Sequence, residues 1–335
     1  MKLSFLTIAA AAMMTATACS GNKAADAATT AEADQSLPDT ATVFFTSEIS
    51  PEALVKIYEA VGKPLTGRIA VKISTGESMQ SHQLSPELIS MLVDTVKGTL
   101  VECNTAYPGS RNTTEAHLKT IHEHGYDAIA PVDIMDSEGF IDIPVTDTTY
   151  IKYDRVGSHL ANYNGMINLA HFKGHAMGGF GGVLKNASIG VASSEGKAYI
   201  HTAGDYNTVD KAFINDKGQD AFLESMAAAA QAVHNYLDGN VVYINVMNNM
   251  SVDCDCDAHA AAPLMKDMGI LASTDPVALD KACLDLVFNH ESTEGDDSEP
   301  LKERINKLHG THTVDHAASI GLGTLNYRIV NLNKK

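Results

Sequence analysis

The stretch VFFTSEISPEALVKIYEAVGKPLTGRIAVKI, residues 43–73, sets the architecture. Val43–Phe45 and Ile69–Ile73 are short apolar runs of strand length. Between them, Pro51–Val61 carries apolar residues at helical spacing, and Ser50 before Pro51 gives an N-cap followed by proline at the first helical position. Strand, helix and strand in that order form the unit from which parallel sheets are built. The pattern continues outward. Thr99–Cys103, Ile129–Val132, Met166–Ala170, Ile189–Val191 and Val241–Val246 read as further buried strands. Pro86–Lys97, Thr113–His124 and Lys211–Leu237 read as helices, as does the run from Asp275–Pro276 to Phe288, with His312–Ile320 as a last short one. Gly125, Gly239 and Gly321 sit where helices should stop. The expectation is an α/β fold, a mainly parallel sheet flanked by helices in one or two lobes.

Composition narrows the function. The chain has 335 residues, of which 44% are hydrophobic, with 41 acidic and 24 basic side chains and a formal net charge of −17. That length can bury a core without a disulfide or metal to hold it. Nucleic acid as a partner is disfavoured, because no run of Lys and Arg is present to neutralise phosphates. Fourteen histidines in an acidic chain raise the question of a metal.

Residues 1–18 read as an export signal: Lys2, then an apolar run from Leu3 to Met14, then small residues before Cys19. The run is too short for a stable membrane span. The segment resembles a bacterial lipoprotein signal, which implies cleavage before Cys19 and lipidation of its thiol. Residues 19–42 are small and polar, a tether between anchor and domain. The folded domain is expected over residues 43–335. Localisation follows as the cell envelope, lipid-anchored, with the outer membrane preferred because Ser20 is not the aspartate that favours inner-membrane retention. The membrane is then a partner through the lipid alone.

Two segments carry chemistry, and both are expected at strand ends, where open α/β sheets gather ligands. The first, NLAHFKGHAMGGFGGVLKNASIG over residues 168–190, presents His171, Lys173 and His175, then Gly178, Gly179, Gly181 and Gly182, then Lys185 and Asn186. Such glycines leave backbone N–H groups free to face an anion. The spacing fits neither a dinucleotide fingerprint nor a phosphate-binding loop. His171 and His175, four apart, would share one face of a helix as metal ligands, although so many glycines disfavour a regular helix. A tight turn with histidines bonded to backbone is the plainer alternative.

The second, NNMSVDCDCDAH over residues 248–259, supplies Asp253, Cys254, Asp255, Cys256 and Asp257. In an extended segment the two thiols point to one side as a soft donor pair, and the three carboxylates to the other as a hard one. A stable disulfide between Cys254 and Cys256 is not expected, since the ring is very small. Cys103 and Cys283 fall in apolar elements and read as small core residues.

Taken in order, these segments resemble the DUF362 family, uncharacterised proteins often described as iron–sulfur centre proteins. The resemblance spans roughly Val43 to Val330. It rests on Tyr107-Pro-Gly-Ser-Arg111 with Thr113, Thr114 and His117, on Asn168 to His175 with the glycines and Lys185-Asn186, and on Asp253-Cys-Asp-Cys256. Ile270 to Asp280 and His312-Thr-Val-Asp-His316 complete it. Many members carry a ferredoxin-like, cysteine-rich insert after the glycine segment. Here Glu195–Gln219 holds no cysteine, so a four-iron cluster, which needs about four thiolates, is not expected.

Two readings of function stand beside a third, a structural envelope protein whose site is vestigial, for which the missing cysteine insert is the sign. In the first, His171, His175, Cys254, Cys256 and Asp255 hold a transition metal, whether iron, zinc or nickel. Lys173 and Arg111 then hold a small anion, and His117 carries protons near neutral pH. A redox or isomerisation step on a small acid is compatible with such a set. In the second, no metal is involved. The glycines, Lys173, Lys185, Arg111 and Asn186 clasp a phosphate- or carboxylate-bearing molecule.

Overall fold

The computed structural model describes residues 40–333. Residues 1–18 and Cys19 lie outside them, as does nearly all of the expected tether. The strands are β1 (Ala41–Thr46), β2 (Ile69–Lys72), β3 (Thr99–Glu102), β4 (Val132–Ile134), β5 (Phe140–Ile143), β6 (Asp154–Gly157), β7 (Gly165–His171), β8 (Lys173–His175), β9 (Gly179–Gly181), β10 (Val241–Met247), β11 (Gly269–Ser273) and β12 (Tyr327–Asn331). The helices are α1 (Pro51–Val61), α2 (Pro86–Val96), α3 (Thr114–Glu123), α4 (Val183–Ala187), α5 (Ser194–His201), α6 (Gln219–Tyr236), α7 (Pro276–Phe288), α8 (Glu299–Lys307) and α9 (His312–Ser319).

Eight strands form one sheet in the order β12-β1-β11-β10-β7-β2-β3-β4. Neighbours from β10 to β4 pair in parallel, as do β1 and β12, and only β11 runs against both its neighbours. Every residue of β7 and β10 is buried, the signature of central strands covered on both faces. One face packs on Leu54, Ile57, Leu88 and Leu92 of α1 and α2. The other packs on residues of α4, α6 and α7 such as Leu184, Ala227, Val277 and Leu284. Helix starts follow their caps: Ser50 Oγ accepts from Ala53 N at 3.1 Å, and Asp275 Oδ1 from Ala278 N at 2.9 Å, each worth about 1 kcal/mol. No helix among the described residues is long and apolar enough to cross a membrane.

Several sequence expectations change. The first strand begins at Ala41, two residues inside the expected tether. Ile189–Val191 is not a strand. It turns after α4, with Val191 N bonded to Ser188 O at 3.2 Å, and is apolar because it is buried beneath the site. The long helix starts at Gln219 rather than Lys211, since Asn215 Oδ1 accepts from Gly218 N and Gly218 takes a φ of +90°. The strand expected at Ile129–Val132 is shifted to Val132–Ile134, after a short 3-10 turn over Tyr126–Ala128.

Candidate functional site

The carboxyl ends of β2, β3, β7 and β10 converge, and the two motif segments meet there. β7 ends at His171, β8 delivers Lys173 and His175, and the loop after β10 brings Asp253–Asp257 over them. No helix carries the two histidines. They sit on consecutive short strands, and their environments differ.

His171 Nδ1 lies 3.1 Å from Asp255 Oδ1 and 2.8 Å from Lys173 Nζ, and its Nε2 lies 2.6 Å from Asn248 O. Lys173 also pairs directly with Asp255, and all three side chains are buried. Asp255 and His171 are therefore committed to Lys173 and to backbone, a correction to their assignment as metal ligands. The three aspartates do not form a hard donor set. Residues 255 and 256 lie in a turn rather than an extended strand, so the carboxylates diverge. Asp253 Oδ2 accepts from Ala261 N, and Asp257 Oδ1 from His259 N.

His175 has the better claim to a metal. Its donor atom and the sulfurs of Cys254 and Cys256 all lie within 4.8 Å of one another. Contrary to expectation, those two sulfurs are joined as a disulfide, with Cα atoms 5.1 Å apart. The turn brings the Cα atoms into the range a bridge requires. His175 Nδ1 accepts from the N–H groups of Gly178 (2.9 Å) and Met177 (3.2 Å), so the ring is neutral with its proton on Nε2. A metal on Nδ1 would replace the two amides. A metal on Nε2 would send the proton to Nδ1 and again deprive them of an acceptor. Either way, loading remakes the turn at Ala176–Gly178. The other cysteines among the described residues, Cys103 and Cys283, are in the core, and burial pushes both thiols up.

The anion-binding assignments are largely overturned, each for a visible reason. The amides that follow the glycines already have an anion. Asp280 accepts from Val183 N and Leu184 N, both at 3.0 Å, and from Asn245 Nδ2 at 2.7 Å. Burial still raises its carboxyl, to about 6. The glycines serve close packing: a Cβ on Gly182 would lie 2.3 Å from Asp280 Oδ1, and one on Gly179 2.9 Å from Gly310 Cα. At Gly181 the nearest atom would be Lys185 Cδ, at 3.9 Å, and Gly178 meets nothing closer than 3.3 Å. Gly182→Ala is accordingly expected to cost about 1–3 kcal/mol in denaturant unfolding, from overpacking, and Gly181→Ala close to nothing. Equal losses would contradict this division of roles.

Arg111 is held by Glu77 (Nε to Oε2, 3.0 Å), by Glu102 (3.3 Å) and by Tyr107 Oη (3.0 Å). Asn186 donates to Asn168 Oδ1 at 2.7 Å and accepts from Lys72 Nζ at 3.1 Å. Neither is free to hold a ligand. His117 is fully buried between Thr75 Oγ1 (3.1 Å) and Asn104 Oδ1 (3.3 Å). Burial, reinforced by Arg111 and Lys197, overcomes the pull of Glu102 and brings its imidazole down to about 3. It stays neutral at physiological pH, so it is not a proton carrier there.

Lys185 remains. Among the described residues nothing accepts a hydrogen bond from its ammonium, which faces a cavity of about 210 Å³. Burial, with Lys72 and Arg111 nearby, brings it down to about 7. The same cavity is lined by His175 and Cys256, by Lys197, and by the apolar side chains of Ile189 and Phe213. His201 also lines it, buried, with an unpartnered Nδ1. Lys197 and His201 lie on α5, within the stretch that replaces the expected insert. No spacing in the sequence marked them, because only the packing of α5 under the site makes them neighbours of Lys185.

The family model described as a domain of unknown function, DUF362, matches residues 69–285. No curated protein matches the sequence. Among solved structures, a protein from Thermotoga maritima is similar at 13% identity and a TM-score of 0.42, over 70% of this chain and 57% of its own, so this chain spans little more than half its length. The lactate racemase apoprotein from Thermoanaerobacterium thermosaccharolyticum is similar at 13% identity and a TM-score of 0.37, over 89% of this chain and 85% of its own.

Proposed function

We propose, for a chain that belongs to the DUF362 family, a metal- and anion-binding site that acts on a small acid. One observation carries the reading: His175 and Cys256, two members of a His–Cys–Cys group, line the same partly open cavity as Lys185, whose ammonium has no hydrogen-bond partner among the described residues. One nitrogen and two sulfur donors suit zinc, iron or nickel. A metal so held supplies Lewis-acid or redox chemistry. The residues of the chain do the rest. Lys185 holds the carboxylate or phosphate of the ligand, Ile189 and Phe213 exclude water around its body, and the wall at His175 and Cys256 faces its other end. Brought down to about 7 by burial with Lys72 and Arg111 nearby, Lys185 also exchanges a proton close to neutral pH, the role first expected of His117. We further propose that this site lies outside the cytoplasm, tethered through a lipid on Cys19 and preferentially at the outer membrane, a reading that rests on the residues up to Ser20.

Elemental analysis of the untagged chain, purified without oxygen, tests the reading. A stoichiometric transition metal is expected, falling to background in His175→Ala while the circular dichroism spectrum is unchanged. Background metal in both would overturn it in favour of a metal-free binder of the same anion.

A further inference from the structure

We infer that Cys254 and Cys256 form a dithiol–disulfide couple that exchanges with an external dithiol and thereby opens or closes the metal group. The inference rests on the metal reading above. Its ground is that one pair of sulfurs is both bridged and within ligand range of His175. A disulfide sulfur is a poor donor, and a thiolate is the form that binds metal. The bridged chain and the loaded chain are therefore alternative states of one site.

Access and anchoring favour reversible exchange. Cys256 lines the inner cavity and also a second, more open one of about 380 Å³ bordered by Tyr107, Gly109, Ser110 and Asp257. Cys254 borders the second cavity too but is almost wholly buried, at 5% exposure, whereas Cys256 is half-buried, so Cys256 is the sulfur an incoming thiolate reaches first. The segment is held without help from the bridge. Asp255 O accepts from Glu77 N (2.8 Å), Asp257 O from Ser81 Oγ (2.9 Å) and Ala258 O from Ser78 Oγ (2.8 Å). Arg304 pairs with Asp253 on the other side. Breaking the S–S bond thus leaves both sulfurs beside His175.

The exchange balances as follows. A thiolate of the external dithiol attacks Cys256 Sγ, the Cys254–Cys256 bond breaks, and its electron pair leaves on Cys254 as thiolate. The second thiol of the partner, as thiolate, then attacks the partner's own sulfur in the mixed disulfide and releases Cys256 as thiolate. The partner departs as its disulfide, two electrons poorer, and its two protons pass to solvent or to the new thiolates.

The test uses the full chain with Co²⁺ as probe. Thiols are titrated in denaturant before and after treatment with dithiothreitol, which is then removed, and Co²⁺ uptake is read in both states from sulfur-to-cobalt charge-transfer absorption. Reduction should raise the titre by the two thiols of the bridge, confer Co²⁺ uptake that the oxidised chain lacks, and allow glutathione disulfide to expel the ion. Cys256→Ser should abolish both the rise and the switch. Equal uptake before and after reduction, or an unchanged titre, overturns the gate alone. A rising titre with no uptake in either state overturns the gate together with the metal reading.

Discussion

Lys185→Met should weaken the binding of short carboxylates or inorganic phosphate by about 30-fold or more, the usual cost of removing one member of a desolvated charge pair. Isothermal titration calorimetry between pH 6 and 8 provides the check, and the pH profile makes the result specific. The ammonium is charged below about 7 and neutral above it, so the affinity of the native chain should fall as pH rises through that value. A bound anion favours the charged form, which moves the decline upward in the complex. With a short carboxylate as the probe, whose own charge is constant over this range, the slope should vanish in the methionine variant. Unaltered affinity, or an unaltered slope, would show that the anion binds elsewhere. Of the cations singled out in the sequence, Arg111 and Lys173 face carboxylates, and Lys185 faces the cavity.

Arg111→Met should cost about 3–5 kcal/mol of folding stability, because it leaves Glu77 and Glu102 buried with one cation fewer. Burial alone would raise Glu102, but Lys72 and Arg111 together hold it down, at about 2. Its folded value lies below the ordinary carboxylate range, so its contribution is full above that range and is lost as pH falls toward 2. The variant should therefore unfold at a higher pH in acid titration as well as at lower denaturant at pH 7. A change below about 1 kcal/mol would mean that Arg111 is not the counterion the geometry implies, and would return it to the list of ligand-binding residues.

Much of the fold was legible because its signals are local. Ser50-Pro51, Ser85-Pro86 and Asp275-Pro276 cap helices by contacts three residues away, and α1 and α7 occupy their expected spans. Strands such as β7 and β10 are apolar throughout because both faces are covered. What failed were segments whose burial is not that of regular structure. Ile189–Val191 is apolar as a turn under the site, and the hairpin of β8 and β9 is built from Lys, Gly, His and Phe, with no strand-like alternation.

The site was legible in location but not in role. Residue type and strand-end position singled out His175, Cys254, Cys256 and Lys185, which the fold brings to one end of the sheet. The same criteria also drew in His171, Asp255, Arg111, Asn186 and His117, which the fold uses to satisfy its own buried charges.

By itself, the sequence determined that this is a mainly parallel α/β chain whose motif segments meet beyond the strand ends, since periodicity and capping act over a few residues. Only the tertiary structure decided which polar groups are left over for a ligand. A buried cation or amide is free only if no carboxylate from a distant element reaches it. Asp280 reaches the glycine-loop amides from 96 and 97 residues away and Asp255 reaches His171 from 84. Lys185 has no such partner among the described residues, which is why the proposed anion site is centred on it.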